Sequence, residues 1–320
     1  MTLFIIINWN GADDTIACLR SLERAEGDFR VVVADNGSSD DSRERITDFL
    51  ATSALKAELL PLEKNYGFAV GNNMAIAYAR KYNPDSYLLL NNDTEVEPDF
   101  FLKLKAYRDS HPECKIMGPL INYWSEKERI WSCGGKLIFG SRKACFRNTL
   151  VSDLPERTPY PVSFVSGCAL MADSSLIDKD GKLLTERFFF GEEDYEFALR
   201  MRRQGEKMAI VRDSVIYHKV GSTAKKASNA SLGRDYMYYL GRLIVAREYY
   251  SPLQFALIRL LTTKKSKGYF MADGLNERQA RMLAARLAKD ACTKDGITKD
   301  DFQKMLHDGT YFDFLNEGDE

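Results

Sequence analysis

No run of apolar residues in this chain approaches the ~18 that a membrane-spanning helix needs. The first apolar run, Leu3–Ile7, is too short for the core of a secretion signal. It lacks a basic start and passes directly into Asn8-Trp9-Asn10-Gly11. There is no Cys-x-x-Cys pair. Cys18, Cys114, Cys133, Cys145, Cys168 and Cys292 are scattered without a histidine cluster nearby, which argues against zinc and a disulfide framework and fits a reducing compartment. Net charge is small, −1 at pH 7, so the global basic field of a nucleic-acid binder is missing and no nucleic-acid partner is expected. Repeats and low-complexity segments are absent. So are the Gly-x-Gly-x-x-Gly of a dinucleotide site and the Gly-Lys-Ser/Thr of a P-loop. The expectation is a soluble, cytoplasmic protein that holds any phosphate by other means. With 320 residues, 45% of them apolar, it can bury one large core or one core plus a small appendage.

What is present is a regular alternation. Leu3–Ile7, Phe29–Ala34, Leu55–Leu60 and Tyr87–Leu90 read as buried strands. Helical patterns lie between them, one capped by Asp13 or Asp14, one from about Asp41 to Leu50, and one opened by Gly71-Asn72-Asn73. Short connections predict an α/β half with a mainly parallel sheet. Each strand ends in a polar cluster: Asn8 to Asn10, Asp35, the Asn65–Asn73 loop, and Asn91-Asn92-Asp93. In open α/β sheets ligands bind at the carboxyl ends of the strands. A carboxylate there, Asp93, is placed to hold a hard cation and through it phosphate oxygens, or else simply to cap the next helix.

Further along, His111 falls in a helix-ending turn and reads as structural. Residues 140–161 show no clear period and read as a long irregular loop. Phe188-Phe189-Phe190 precedes Glu192-Glu193-Asp194. Acidic residues suit the first turn of a helix, and a carboxylate against an aromatic wall gains the raised pKa that suits a general base. His218 ends a strand and is followed by Gly221-Ser222-Thr223 and Lys225-Lys226, a pattern fitting a metal ligand beside a phosphate loop, or else, as with most lone histidines, a structural residue. From about Arg234 the chain turns helical, with Tyr236, Tyr239, Leu240, Leu243 and Tyr250 on one face. Arg242, Arg247, Arg259, Lys264, Lys265 and Lys267 lie in or beside these helices, which either pack on a core or touch a membrane surface.

In this order, the motifs resemble the family 2 glycosyltransferases of the GT-A fold, particularly bacterial rhamnosyltransferase-like members. The resemblance covers about residues 3 to 250. It is carried by Ile7-Asn8-Trp9-Asn10, Val33-Ala34-Asp35-Asn36-Gly37-Ser38-Ser39-Asp40, Asn65-Tyr66-Gly67-Phe68 with Gly71-Asn72-Asn73, Leu90-Asn91-Asn92-Asp93-Thr94, Glu193-Asp194 with Leu199-Arg200 and Gly205, and His218 with Gly221-Ser222.

The resemblance implies a Rossmann-like GT-A catalytic domain over residues 1–230; the helical composition after it reads as a C-terminal extension over 231–295, and the acidic stretch as an appendage or tail over 296–320. The resemblance also implies nucleotide binding by Asn8, Trp9, Asn10, Asp35, Asn65, Gly71, Asn72, Asn91 and Asn92. Asp93 and His218 would hold Mn2+ or Mg2+, the imidazole favouring manganese. Asn91 replaces the first carboxylate of the family's Asp-x-Asp, which weakens the expected hold on a metal. Asp194 is the implied base and Glu193 its neighbour. The implied activity is inverting transfer of a sugar such as rhamnose from a UDP- or dTDP-linked donor. The acceptor would be a glycan or lipid-linked hydroxyl in bacterial surface polysaccharide synthesis, with peripheral contact at the inner face of the membrane. Two rivals differ in kind. A sugar-nucleotide pyrophosphorylase calls for a Gly-rich basic loop where Asn8-Trp9-Asn10-Gly11 stands, and a non-catalytic sugar-nucleotide-binding protein has no need of Asp93 and Asp194 together.

Overall fold

Short apolar runs such as Leu3–Ile7, Val31–Ala34 and Tyr87–Leu90 give this chain strands buried on both faces, and polar turns end each of them. A computed structural model describes residues 1–156, 160–220 and 230–316. It divides into two compact units.

The first unit comprises Met1–Leu137, Arg142–Thr185 and Phe197–Val220. Its opening half alternates as expected: β1 (Thr2–Asn8), α1 (Ala12–Leu22), β2 (Phe29–Asp35), α2 (Ser42–Thr52), β3 (Ala57–Pro61), α3 (Phe68–Ala79) and β4 (Ser86–Leu90). There follow β5 (Thr94–Val96), α4 (Phe100–Ser110), β6 (Ile116–Tyr123), β7 (Ile130–Ser132), the hairpin of β8 (Gly135–Ile138) and β9 (Ser141–Ala144), β10 (Tyr160–Val162), β11 (Ala169–Asp173), α5 (Glu193–Arg203) and β12 (Met208–His218), with Ile138, Ser141 and the start of α5 through Glu196 assigned to the second unit. The strand order is β10-β12-β6-β11-β4-β1-β2-β3, with β5 paired to β12 and β7 to β6. Strands β3, β2, β1 and β4 are mutually parallel, whereas β11 runs antiparallel to β4 and β6. The sheet is therefore mixed beyond its parallel half. Since β11 opposes both neighbours, β4, β6 and β12 point the same way, and their carboxyl ends share one edge with β1 and β2.

Alternate residues of each central strand feed two cores. Leu3, Ile5, Val32, Tyr87 and Leu89 lie on one face; Phe4, Ile6, Val31, Val33, Leu88 and Leu90 lie on the other. Burial on both faces is what makes these strands continuous apolar runs. In β12 the register against β6 shifts between Val211 and Val215, a bulge that separates its two halves.

Three local expectations are corrected. Gly11, not Asp13 or Asp14, is the N-cap of α1, and the two carboxylates sit in its first turn. Helix α3 starts at Phe68, after Gly67 at φ +86°, so Gly71, Asn72 and Asn73 lie inside it. The glycine that permits the left-handed turn set the start. The segment 140–161, expected to be irregular, supplies strands β9 and β10, too short to leave a periodic trace.

The second unit comprises Ile138–Ser141, Glu186–Glu196 and Gly221–Glu320. Its helices are α6 (Ala230–Tyr249), α7 (Pro252–Ala272), α8 (Glu277–Thr293) and α9 (Lys299–Leu306), followed by a 3-10 turn at Thr310–Leu315. Capping boxes at Ser251/Gln254, Asn276/Gln279 and Thr298/Asp301 start α7, α8 and α9. Tyr236, Tyr239, Leu240 and Leu243 are buried in α6, as their spacing predicts, but Tyr250 lies just beyond the end of the helix and is half-buried. Helix α7 runs on to Ala272. It buries Ile258, Ser266 and Phe270 but turns Leu253, Leu257, Leu260 and Leu261 outward, 86, 48, 65 and 53% exposed.

Candidate active site

Along the carboxyl edge of the first unit the strand-end side chains are tied to one another. Asn8, at the end of β1, donates through Nδ2 to Asp35 Oδ1 at 2.9 Å and to Ser38 Oγ at 3.1 Å. Its Oδ1 accepts from Thr15 at 2.7 Å, and Thr15 in turn accepts from Asn92 Nδ2 at 3.0 Å. One chain of hydrogen bonds thus joins the ends of β2, β1 and β4. Asp35 is fully buried and also receives Arg43, whose Nη2 stands 3.2 Å from Oδ2. Asn10, at φ +50°, accepts the Ser39 N–H at 2.8 Å. Asn36 joins the third strand end, donating to Asn65 Oδ1 at 3.1 Å, with Gly71 packed against its amide. Gly37 takes φ +68° there; a Cβ would stand 2.3 Å from Lys64 backbone atoms, so only glycine fits. Asn72 donates to the Phe68 carbonyl in its own helix, while Trp9 remains exposed at the rim.

Asp93 and His218 meet. Strand β5 pairs antiparallel with the end of β12, placing Thr94 opposite His218, and the Lys219 N–H donates to the Asp93 carbonyl. This brings His218 Nε2 to 3.1 Å from Asp93 Oδ1, with both side chains at least nine-tenths buried. Trp131 sets its ring edge against the imidazole at 4.4 Å, fixing the ring plane. Burial alone would push the imidazole down; Cys168 and Asp93 beside it outweigh burial and raise its pKa to about 10. Asn91 is fixed through its backbone: its carbonyl accepts from Thr94 Oγ1 at 2.7 Å and its N–H donates to the Cys168 carbonyl.

Two donors occupying neighbouring positions on an octahedral ion with ~2.1 Å bonds stand about 3 Å apart. The 3.1 Å between Asp93 and His218 is also that of a direct ion pair; carboxylate and neutral imidazole are donors a divalent cation takes, with its remaining oxygens from diphosphate and water, and a cation bound there would displace the imidazole's proton. Among the described residues no group of three or more His, Cys, Asp and Glu is placed to bind a metal without such help.

Glu193 and Asp194 belong to the second unit and open α5. Glu192 precedes them with φ +63° and is ion-paired with Arg242. Phe188 is buried, and Phe189 and Phe190 lie against Phe302 at 5.0 and 5.7 Å. His111 stacks on Tyr107 at the end of α4, the structural place expected of it. Gly221, Ser222, Thr223, Lys225 and Lys226 lie outside the described residues. Sequence reasoning missed Thr15, which carries no signal of its own, and Trp131. Asn36 and Ser38 stood inside a quoted motif, but their role in linking strand ends needed the register of β1 on β2.

A family model described as glycosyl transferase family 2 matches residues 3–162. The chain is 23% identical over 264 residues to the dTDP-rhamnosyl transferase RfbF of Shigella flexneri, covering 78% of this chain and 84% of that one. It is 29% identical over 208 residues to the low-salt glycan biosynthesis hexosyltransferase Agl10 of Haloferax volcanii, covering 62 and 61% respectively. Among solved structures it is similar to the mannosyltransferase PcManGT from Pyrobaculum calidifontis in complex with GDP-Man and Mn2+. The TM-score is 0.58 at 15% identity, over 92% of this chain and 86% of that one, a likeness of fold.

Proposed function

With half of its length matched by the family's model, the chain belongs to glycosyl transferase family 2, and from that premise we propose an inverting transfer of a hexose such as rhamnose. The donor is a UDP- or dTDP-linked sugar, and the acceptor is a hydroxyl of a glycan or lipid-linked saccharide in surface polysaccharide synthesis. Membership in a glycosyltransferase family sets the pyrophosphorylase reading aside. The dTDP-rhamnosyl transferase relative supports the choice of donor. The observation that carries the reading is the buried Asp93–His218 pair, 3.1 Å apart at the carboxyl edge, beside the linked Asn8, Asp35 and Asn92 side chains.

In this reading the nucleoside lies at the Asn8–Asp35 end, with Trp9, Asn10, Asn65, Gly71 and Asn72 shaping its surroundings. A base or ribose reaching Asp35 displaces Arg43, the most exposed of its donors. Asn91 and Asn92 lead the diphosphate toward Asp93. A divalent cation held by Asp93 and His218, manganese or magnesium, supplies charge stabilisation for the departing diphosphate. Asp194 takes the proton of the acceptor hydroxyl as its oxygen attacks the anomeric carbon from the face opposite the diphosphate. The new C–O bond forms as the bond to the diphosphate oxygen breaks, and the configuration inverts. Glu193 flanks the base.

The exposed leucines of α7 support weak peripheral contact with a membrane. Residues 252–272 contain no Asp or Glu but four basic residues, Arg259, Lys264, Lys265 and Lys267. An apolar face edged by cations suits an anionic lipid surface. Among the described residues no helix is long and apolar enough to cross a membrane.

Thermal unfolding with UDP, dTDP and their sugar conjugates, each with and without Mn2+, tests the donor reading. Ligand at 100 times its Kd stabilises by about 2.7 kcal/mol. No shift with any of these at millimolar concentration removes it.

A further inference from the structure

Among the described residues of the second unit, Glu192 is the one non-glycine with a left-handed backbone, φ +63° directly after Gly191 at +84°. A long side chain rarely adopts this conformation, and where one does the surroundings impose it, most often at functional turns.

The imposing contacts are on α6. Glu192 Oε2 accepts from Arg242 Nε at 3.0 Å, with the two side chains 6 and 4% exposed. The guanidinium lies over the rings of Tyr195 and Tyr238 at 4.6 and 4.5 Å, and its Nη1 donates to Ser141 Oγ at 2.7 Å. Gly241 lets the acid approach closely: a Cβ there would stand 3.0 Å from Glu192 Cγ. A buried ion pair is unforgiving, since removing one partner strands the other charge out of water. The pair also sits one residue before Glu193 and two before Asp194, so it governs how the first turn of α5 leaves the loop.

We infer that Arg242 is a positioning residue: by pinning Glu192 in its left-handed conformation it aims the carboxylates of Glu193 and Asp194. The inference rests on the reading of Asp194 as base and extends it to a helix beyond the residues that the family model matches. It makes α6 part of the transfer apparatus.

Full-length Arg242→Met, Arg242→Lys, Glu192→Gly and Asp194→Asn chains test it with two readouts. One is amide hydrogen exchange over residues 189–196. The other is nucleoside diphosphate release from dTDP-rhamnose and UDP-glucose. Arg242→Met is expected to speed exchange in that segment alone and to lower turnover by about tenfold or more, as misplacement of a reacting group does. Nucleoside diphosphate affinity should stay within about twofold, since the carboxylates act on the acceptor. Arg242→Lys keeps the charge without the planar fork and falls between Met and the parent. Should the Met chain not fold, Glu192→Gly carries the test, because glycine accepts the left-handed backbone without strain yet cannot be pinned. Parent-like exchange and turnover in Glu192→Gly overturn the inference. So does faster exchange spread evenly over the chain, the mark of a pair that only stabilises. Full turnover in Asp194→Asn removes the base reading instead and leaves the exchange result to judge the pin.

Discussion

The carboxyl edge of the first unit and the carboxylate turn of the second solve the same problem with different materials. At the edge, Asn8, Thr15, Ser38, Asn36 and Asn92 are held by a network of hydrogen bonds, one arm of which ends on the buried Asp35 carboxylate, and its geometry follows from strand register. At the turn, Glu192 is held by a buried ion pair with a residue 50 positions away, and its carbonyl accepts from the Glu196 N–H. Both use left-handed backbone, at Gly37 and at Glu192. Gly37 has no room for a side chain, whereas Glu192 employs its own as the fastener. A network of several modest bonds degrades gradually when one is lost, and a single buried pair does not. The edge should therefore tolerate substitution better than the turn.

The largest effect is expected from the turn. Asp194→Asn should lower turnover on the order of 10² or more while leaving donor affinity nearly unchanged, because a general base acts on the acceptor. Single-turnover and binding measurements on the purified variant decide this; near-parental turnover moves the role to Glu193 or ends it.

At the edge, Asp93→Ala and His218→Ala should each weaken manganese-dependent binding of nucleoside diphosphate on the order of tenfold. Their double variant should lose little more than either alone if one cation joins them. Calorimetry with and without Mn2+ measures both terms. Affinity in the parent that ignores the metal sinks the shared site.

The backbone contrast gives a smaller effect. Gly37→Ala should cost about 1–3 kcal/mol in denaturant unfolding, through a strained φ and a clash with Lys64. Glu192→Gly should carry no such backbone penalty. An alanine at 37 that leaves stability unchanged would remove the claimed tightness of the edge.

Smallest is the effect expected from the proposed contact of α7 with lipid. Basic residues near an anionic surface contribute about 1 kcal/mol each, less at high salt. Vesicles containing phosphatidylglycerol should retain the protein at low salt, and Leu257→Ser/Leu260→Ser should release it. A protein that stays in solution with such vesicles even at low salt has no membrane contact through α7.

The parallel half of the fold was legible because Leu3–Ile7, Phe29–Ala34 and Tyr87–Leu90 are buried on both faces and leave uninterrupted apolar runs. The three-residue β5 left no such trace, yet it is what places Thr94 opposite His218. Asp93 and His218 could be named from their motifs, while their 3.1 Å approach depends on pairing between segments some 120 positions apart. Local composition does not encode such pairing. Gly71-Asn72-Asn73 looked like a helix start because polar residues favour caps, but the left-handed Gly67 had already started it. The Glu192–Arg242 pair was invisible for a different reason. Both residues are ordinary in composition, and only burial and an unusual φ set them apart.

The bulge in β12 bears on how the site can change over time. Because the register with β6 resumes at Val215 after slipping beyond Val211, the two halves of the strand are out of step with each other by design of the chain length between them. An insertion or deletion at Arg212 or Asp213 is taken up within the bulge and need not travel down the ladder. In an unbroken strand a single added residue would turn every later side chain to the opposite face. The slip works as an expansion joint: the bulge can drift in length while His218 keeps facing Asp93.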